Sequence, residues 1–534
     1  MSRSSKKIYT AFKTLLGERP GSVLPREEEN YKEYLKANSP GMEELERQRQ
    51  AAINGLPVFA IAIVGGNGNE EDIKRTKDSL TAQTYSRWML ADSPGDVEWQ
   101  YIMYMWPGDT IPPDALYQYA MHAKGRDLLY CDEDTWGAQG RESPVFKPQP
   151  DMIDQLSYDM LGSGVAASRA LHSAAGAMTG ETADDRYGYN LRCLKKAGSP
   201  CHIARVLYTC GRRTTPTAEA RYHVERAAGK GRYVMPGEWQ GSFRVDAVVK
   251  RPGVAVIISN RDSYQPLLRL LMSIDGAAGE HKINILIADR GSTDSRTLRY
   301  YDILKRNGAA KVYYGGNVGL PALLNAAASE ADADVAVFME NTAEVLSHNW
   351  IGELLSQAMR GGVGAAGPKI VSADGRLLHC GTVVGMQGWR GSPYQGSEDD
   401  RGDERKRIFT RTVRRVSALS SVCMMVRMET FFNVGCFDES FCFTGFDTEF
   451  CLRMEGRGYA SVYTPRVLVK SYVPIASIAE GQEQDIRRCY DAMRESMVRG
   501  DPYYNNNFDY ASFEPKVAVR PVPPININPI FSKK

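Results

Sequence analysis

Two stretches of this chain repeat one order of apolar runs and turns, and that repetition limits the fold more than any other feature. Residues 58–64 form a continuous apolar run, followed by Gly65-Gly66-Asn67-Gly68 and a helix-like stretch over 72–83. Residues 254–259 open a second copy, with a helix-like stretch over 264–274 behind them. Each copy continues with a strand ending in Ala-Asp: Met89-Leu90-Ala91-Asp92 and Leu286-Ile287-Ala288-Asp289. Each then runs an apolar strand into a polar turn, Met105-Trp106-Pro107-Gly108-Asp109 and Met339-Glu340-Asn341-Thr342. Short continuous apolar runs alternating with helices mark parallel strands buried on both faces. The predicted class is α/β, with two sheet-forming units in tandem.

The copies are unequal. Asp289 and Met339 lie 50 residues apart, Asp92 and Met105 only 13, so the first copy is shorter by about 37 residues. The second copy fills that interval with Gly291-Ser292-Thr293-Asp294, Asn317-Val318-Gly319 and a helix over 322–329. Ligands of open parallel sheets sit at the carboxyl ends of the strands. The first copy lacks that lip, so ligand binding is expected in the second.

The predicted organisation has five parts. Residues 1–55 are a helical, basic extension with two short surface helices over 28–54. Residues 56–212 are the shortened unit, 213–252 connect with one helix over 218–228, and 253–480 are the complete unit. Residues 481–534 hold a helix and a tail with Pro at 515, 520, 523, 524 and 529, read as extended.

Composition removes several classes. Lys and Arg number 66 against 64 Asp and Glu, a net charge of +2, without the basic excess of a nucleic-acid binder. No run reaches the roughly 18 apolar residues of a membrane-spanning helix. The first seven residues lack the apolar run of a signal peptide. Ten cysteines without Cys-x-x-Cys spacing read as reduced thiols, in keeping with a cytoplasmic protein. Ile8, Phe12, Leu15 and Leu16 beside Lys6, Lys7 and Lys13 are compatible with peripheral association at a membrane and with a frayed terminus.

The chemistry-bearing residues lie in the second copy. In order they are Asp289-Arg290-Gly291-Ser292-Thr293-Asp294, Asn317-Val318-Gly319, Asn325, Gly435-Cys436-Phe437-Asp438-Glu439 and Asp447-Thr448-Glu449-Phe450-Cys451-Leu452-Arg453. The set resembles the bacterial family 2 glycosyltransferases, whose fold is the Rossmann-like, nucleotide-diphospho-sugar-binding GT-A type. The first half carries Ser79-Leu80-Thr81-Ala82-Gln83-Thr84-Tyr85, Tyr130-Cys131-Asp132-Glu133-Asp134 and Phe146-Lys147-Pro148. It looks like the N-terminal half of tandem members that assemble rhamnose-rich and other surface polysaccharides.

The resemblance implies an inverting transferase that uses a nucleotide sugar, a UDP- or dTDP-sugar, and a glycan or lipid-linked acceptor, with other glycosyltransferases as potential partners. Asp289 would contact the base, and Asp294, Asn317, Gly319 and Asn325 would support the nucleotide pocket. Asp447 would take the proton of the acceptor hydroxyl. Mg²⁺ or Mn²⁺ would neutralise the leaving diphosphate.

Three features depart from the family pattern. Thr342 stands where the metal-binding Asp belongs, leaving Glu340 as the carboxylate that could take over a metal. No His follows the last strand near Val469-Lys470-Ser471-Tyr472. Lys470, Arg290 or a helix N-terminus could then supply the counter-charge. In the first copy only Asp109 remains of the acidic turn. Asp132-Glu133-Asp134 is read as a solvated turn, and His379 as a packed or hydrogen-bonded side chain. Gly361-Gly362-Val363-Gly364 lacks the Gly-Lys-Ser/Thr of a phosphate loop. Two functions remain open from these residues: a glycosyltransferase, and a catalytically inactive protein of that fold that binds a glycan, a nucleotide or a partner.

Overall fold

The computed structural model describes residues 27–65, 69–91, 98–212, 214–247, 251–400, 402–472 and 483–520. The stripe at Ile8–Leu16, part of the Gly65–Gly68 turn, Asp92 and the tail beyond 520 lie outside these residues.

The chain is α/β, built on two sheets. The first contains β1 (Phe59–Ile63), β2 (Trp88–Leu90), β3 (Tyr101–Met105), β4 (Leu128–Gly137), β5 (Gly140–Val145), β6 (Ala166–Ser168) and β7 (Pro200–Cys210). A hairpin follows, β8 (Arg232–Pro236) with β9 (Phe243–Ala247). The second sheet starts with β10 (Val254–Asn260), β11 (Ile283–Asp289), β12 (Lys311–Tyr314), β13 (Val335–Glu340), β14 (Ala343–Val345), β15 (Val363–Ser372) and β16 (Leu377–His379). A two-residue pair, β17 (Val383–Val384) and β18 (Arg390–Gly391), stands apart from it. β19 (Arg414–Val416), β20 (Cys423–Arg427) and β21 (Ala460–Ser471) complete the second sheet.

Six strands of each sheet share one order and one set of directions. In the first, β2, β1 and β3 are parallel, β6 is antiparallel to β3 and β4, and β7 runs parallel to β4. In the second, β11, β10 and β13 are parallel, β20 is antiparallel to β13 and β15, and β21 runs parallel to β15. The second sheet extends past β11 by one more parallel strand, β12. Among the described residues the first has no strand beyond β2, which is where the sequence lacks about 37 residues.

β10 shows why such strands read as unbroken apolar runs. Ala255 and Ile257 pack into the core on one face, Val254, Val256 and Ile258 into the core on the other. Side chains alternate across a strand, so burial of both faces removes polar positions. Each fully buried Ile or Val contributes roughly 1.5–3 kcal/mol.

Three readings of the sequence need correction. Asp132, Glu133 and Asp134 are not a solvated turn; they lie inside β4 and are buried. Asp132 accepts from the Lys147 N–H, from the Nδ2 groups of Asn505 and Asn507 and from His202. Glu133 pairs with Lys147 at 2.9 Å, and Asp134 pairs with Arg141 at 2.7 Å and accepts from the Tyr31 hydroxyl. Second, the connecting segment holds the β8–β9 hairpin as well as the helix Arg221–Ala228. Third, the helix Glu27–Asn38 is not purely a surface helix, because Tyr31 and Tyr34 are buried.

These partners join distant parts of the chain. One apolar cluster combines Tyr31 and Tyr34 with Phe146, Val371, Phe409 and Phe508. Ion pairs Arg415–Asp151 at 3.0 Å and Arg466–Asp246 at 2.5 Å link the second sheet to the preceding half.

Candidate functional site

The carboxyl ends of β10, β11 and β13 lie side by side. In register, Asn260 faces Asp289, and Ser259 faces Glu340. Asp289 is buried, and its carboxylate accepts from the Gly291 and Ser292 N–H groups at 3.0 Å each, from the Tyr301 hydroxyl at 2.9 Å and from the Ser292 hydroxyl. Those four donors fill the lone-pair sites of a carboxylate. Asp289 therefore fixes its own turn, and a base contact through it would require one of these donors to move. Gly291, at φ 78°, takes the left-handed conformation that this turn needs.

Asp294 caps the helix Ser295–Arg306, accepting from the Thr297 N–H and hydroxyl at 2.9 Å. Asp262, just past β10, accepts from the N–H groups of Thr293 and Asp294 at 2.5 and 2.7 Å. Asn317 is exposed on the lip. Gly319 begins the helix Leu320–Ser329, and a side chain there would meet the Phe441 carbonyl at 3.0 Å. The Asn325 amide bonds the Phe437 N–H and carbonyl and the Glu439 carboxylate. It holds the helix to the Gly435–Glu439 turn from behind.

Asp447 sits in the first turn of the helix Phe446–Gly456. It is only 5% exposed and accepts from the Ser421 and Thr448 N–H groups at 3.1 and 2.8 Å. Arg390, in β18, donates to it at 2.7 Å and also bonds the hydroxyls of Thr448 and Thr444. Burial pushes the Asp447 carboxyl up, but the Arg390 charge and the two N–H donors outweigh it and hold the group below the usual range. Glu340 is half-buried; burial first, and the nearby Asp447 charge second, raise it to about 7 against a hydrogen bond from Ser421. Glu449 points elsewhere, paired with Arg453 at 2.7 Å on the same helix.

Sequence reasoning missed Arg390. Its loop has no periodicity to betray it, and its position is set by distant chain: Gln387 N–H donates to the Tyr510 carbonyl at 2.7 Å and the Tyr490 hydroxyl to the Gly388 carbonyl at 2.8 Å. His379 is buried as expected, yet its Nε2 has no hydrogen-bond partner. Burial, the largest influence, lowers its pKa to about 4, so the ring is neutral near pH 7. Asp109 of the first half is folded into its own turn, accepting from the Gly211 N–H at 2.8 Å and from the Tyr208 hydroxyl.

A divalent metal does not fit the residues present. Thr342, at the metal-motif position, offers a buried hydroxyl without a partner, and a neutral hydroxyl is a poor ligand for a hard cation. Asp447, the carboxylate whose charge acts on Glu340, is taken by Arg390. No group of three or more His, Cys, Asp or Glu that could hold a metal occurs among the described residues. No described helix is long and apolar enough to cross a membrane.

Residues 254–423 match the model of Glycosyl transferase family 2. The O-antigen biosynthesis protein RfbC of Myxococcus xanthus is 25% identical over 570 aligned positions, covering 94% of this chain and 44% of the relative. The uncharacterized protein y4gI of Sinorhizobium fredii is 26% identical over 446 positions, covering 76% of this chain and 48% of its own. The chain thus spans less than half the length of these two relatives. Among solved structures, GalNAc-T7 with UDP, GalNAc and Mn²⁺ aligns at a TM-score of 0.36 and 17% identity, over 44% of this chain and 46% of that one. The unit built on β10–β21 is α/β, and over residues 254–423 it is similar to the family 2 glycosyltransferases.

Proposed function

We propose that the carboxyl edge of β10, β11 and β13 binds a nucleotide sugar, a UDP- or dTDP-sugar, and that the sugar passes with inversion to a glycan or lipid-linked acceptor during assembly of a cell-surface polysaccharide. The observation that carries this reading is the alignment of Asp289 and Glu340 at neighbouring strand ends, with the buried Asp447 near enough for its charge to act on Glu340. The relative named for O-antigen biosynthesis supports the polysaccharide setting.

In this reading Asp289, Asp294, Asn317 and Gly319 shape the nucleotide side, with Asn325 bracing it. Asp447 is the base: as the acceptor oxygen attacks the anomeric carbon, its proton passes to the carboxylate. Arg390 and two backbone N–H groups keep that carboxylate ionised and aimed. No step runs through a metal. Residues 56–212 serve as a braced scaffold rather than a second donor site, since among the described residues the first sheet has no strand beyond β2. The protein would work in the cytoplasm, at the inner face of the membrane where lipid-linked acceptors lie.

A non-catalytic role is the second reading, favoured by one observation: Arg390 already occupies Asp447. Incubation with a panel of nucleotide sugars and polysaccharide acceptors, followed by mass spectrometry, separates the two. Release of nucleoside diphosphate with a glycosylated product supports the enzyme. Donor binding without turnover for every acceptor supports the second reading.

A further inference from the structure

We infer that Arg290 and Arg261 form a metal-independent clamp for a diphosphate group, that of the bound nucleotide sugar. The inference rests on the donor-site reading above and adds what holds the donor's charge.

Arg261 follows the last residue of β10, and Arg290 the last residue of β11. The Arg290 N–H donates to the Asn260 carbonyl at 3.0 Å, which fixes the two arginines next to each other at the strand ends. The Arg290 guanidinium lies 4.5 Å from the centroid of the Phe443 ring, and its Nε is buried without a hydrogen-bond partner. Among the described residues no carboxylate is ion-paired with either guanidinium. Asp262, the adjacent acid, uses its carboxylate on the Thr293 and Asp294 N–H groups. Burial, and then the Arg261 charge, lower the Arg290 pKa, which places the two cations within electrostatic reach of each other; Arg261 also lies in the field of Asp262.

The chemistry of the vacancy in charge is specific. A guanidinium presents a planar fork of donors that matches phosphate oxygens two at a time. An aromatic face holds the fork in place and leaves its edge free. The other counter-charge considered, Lys470, lies opposite Glu344 across β14 and β21, next to a carboxylate. Thr342 leaves the metal motif without its acid, and the arginines supply the positive charge that the motif no longer gathers. During transfer the bond from the anomeric carbon to the diphosphate oxygen breaks, and its electron pair stays on that oxygen. The new bond forms to the acceptor oxygen, whose proton goes to Asp447. The clamp meets the charge left on the diphosphate.

The same group occurs in lipid-linked acceptors, so the test has separate arms. Full-length protein in EDTA is titrated by calorimetry with UDP, dTDP, UMP and farnesyl diphosphate, for wild type, Arg290→Gln, Arg261→Gln and Arg290→Lys. A charge-assisted hydrogen bond corresponds to roughly a tenfold change in affinity or more. UDP or dTDP is expected to bind in EDTA, to lose at least about tenfold in either Gln variant, and to recover in part in Arg290→Lys, with UMP changed by less than about threefold. The Lys variant also guards against a Gln variant that merely misfolds. Nucleotide binding that requires added Mn²⁺, or that ignores both arginines, overturns the clamp and leaves the donor site standing. Farnesyl diphosphate sensitive to the arginines, with nucleotides insensitive, also overturns the assignment to the donor. If none of the four probes binds, the donor-site reading fails and the clamp fails with it.

Discussion

Replacing Arg390 by Gln tests the electrostatics of the crevice in isolation from the chemistry. The Arg390 and Asp447 side chains are 19% and 8% exposed, so solvent screens their 2.7 Å contact weakly. Removing one partner of a buried pair leaves the other charge uncompensated, at a cost of about 3–5 kcal/mol. Some relief comes from the Ser421 and Thr448 N–H donors, which remain, so the lower end, about 3 kcal/mol, is expected. Native-state amide exchange of the helix Phe446–Gly456 reads this locally, without assuming that the whole chain unfolds as one unit. A change of about 3 kcal/mol accelerates exchange roughly 100-fold. The effect depends on pH. In the wild type the Asp447 carboxyl lies below its unfolded value, so its stabilisation is full above about pH 3.9 and is lost as pH falls. In the variant the buried, unpaired carboxyl is raised, and protonation on acidification relieves it. Both trends narrow the gap between the proteins at low pH. A gap under about 1 kcal/mol at pH 7, or one that widens on acidification, would refute the pairing as the dominant force on Asp447.

Asp447→Asn is expected to abolish sugar transfer while donor affinity stays within a few-fold, because a base for the acceptor proton acts in the transition state; near-normal turnover would place the base elsewhere. Glu449→Gln, in contrast, should keep turnover, since Glu449 is engaged with Arg453, and kinetics on both variants checks the pair. Thr342→Asp should create Mn²⁺-dependent tightening of donor binding that the wild type lacks, measured by calorimetry with Mn²⁺ or chelator; a wild type that loses all donor in chelator contradicts the reading of this turn. Asn505→Ala removes donors to Asp132 and to the Lys147 carbonyl, at a cost of about 1–3 kcal/mol, and should open residues 500–518 to limited proteolysis; unchanged protection would mean that the apolar cluster alone holds this segment.

The opening parallel strands of both sheets were legible because burial on two faces leaves a continuous apolar run. The run 254–259 falls one residue short of β10, and 58–64 overruns β1 by one residue at each end. The β8–β9 hairpin escaped notice because Arg232, Tyr233, Arg244 and Asp246 interrupt its apolar positions and no tight two-residue turn announces it. Asp132–Asp134 were misread for a deeper reason. Three acids in a row look solvated unless their partners are known, and those partners, Tyr31, His202, Asn505 and Asn507, are supplied by chain remote in sequence. Arg390 was hidden in the same way. Asp289, Asp294, Gly319 and Asp447 were found because their motif order is visible along the chain, whereas the use of Asp289 and Asn325 within the scaffold is a matter of geometry alone.

The most direct measurement of the central claim is where a nucleotide sugar protects the chain. Hydrogen exchange with mass spectrometry on the full protein, with and without a saturating UDP- or dTDP-sugar found by a thermal-shift screen, maps the site peptide by peptide. Protection is expected in peptides containing Asn260–Asp262, Asp289–Asp294 and Asn317–Gly319, with β1–β7 unchanged. Protection confined to the first sheet, or no protection by any nucleotide sugar at saturating concentration, would contradict a donor site at the carboxyl edge of β10, β11 and β13.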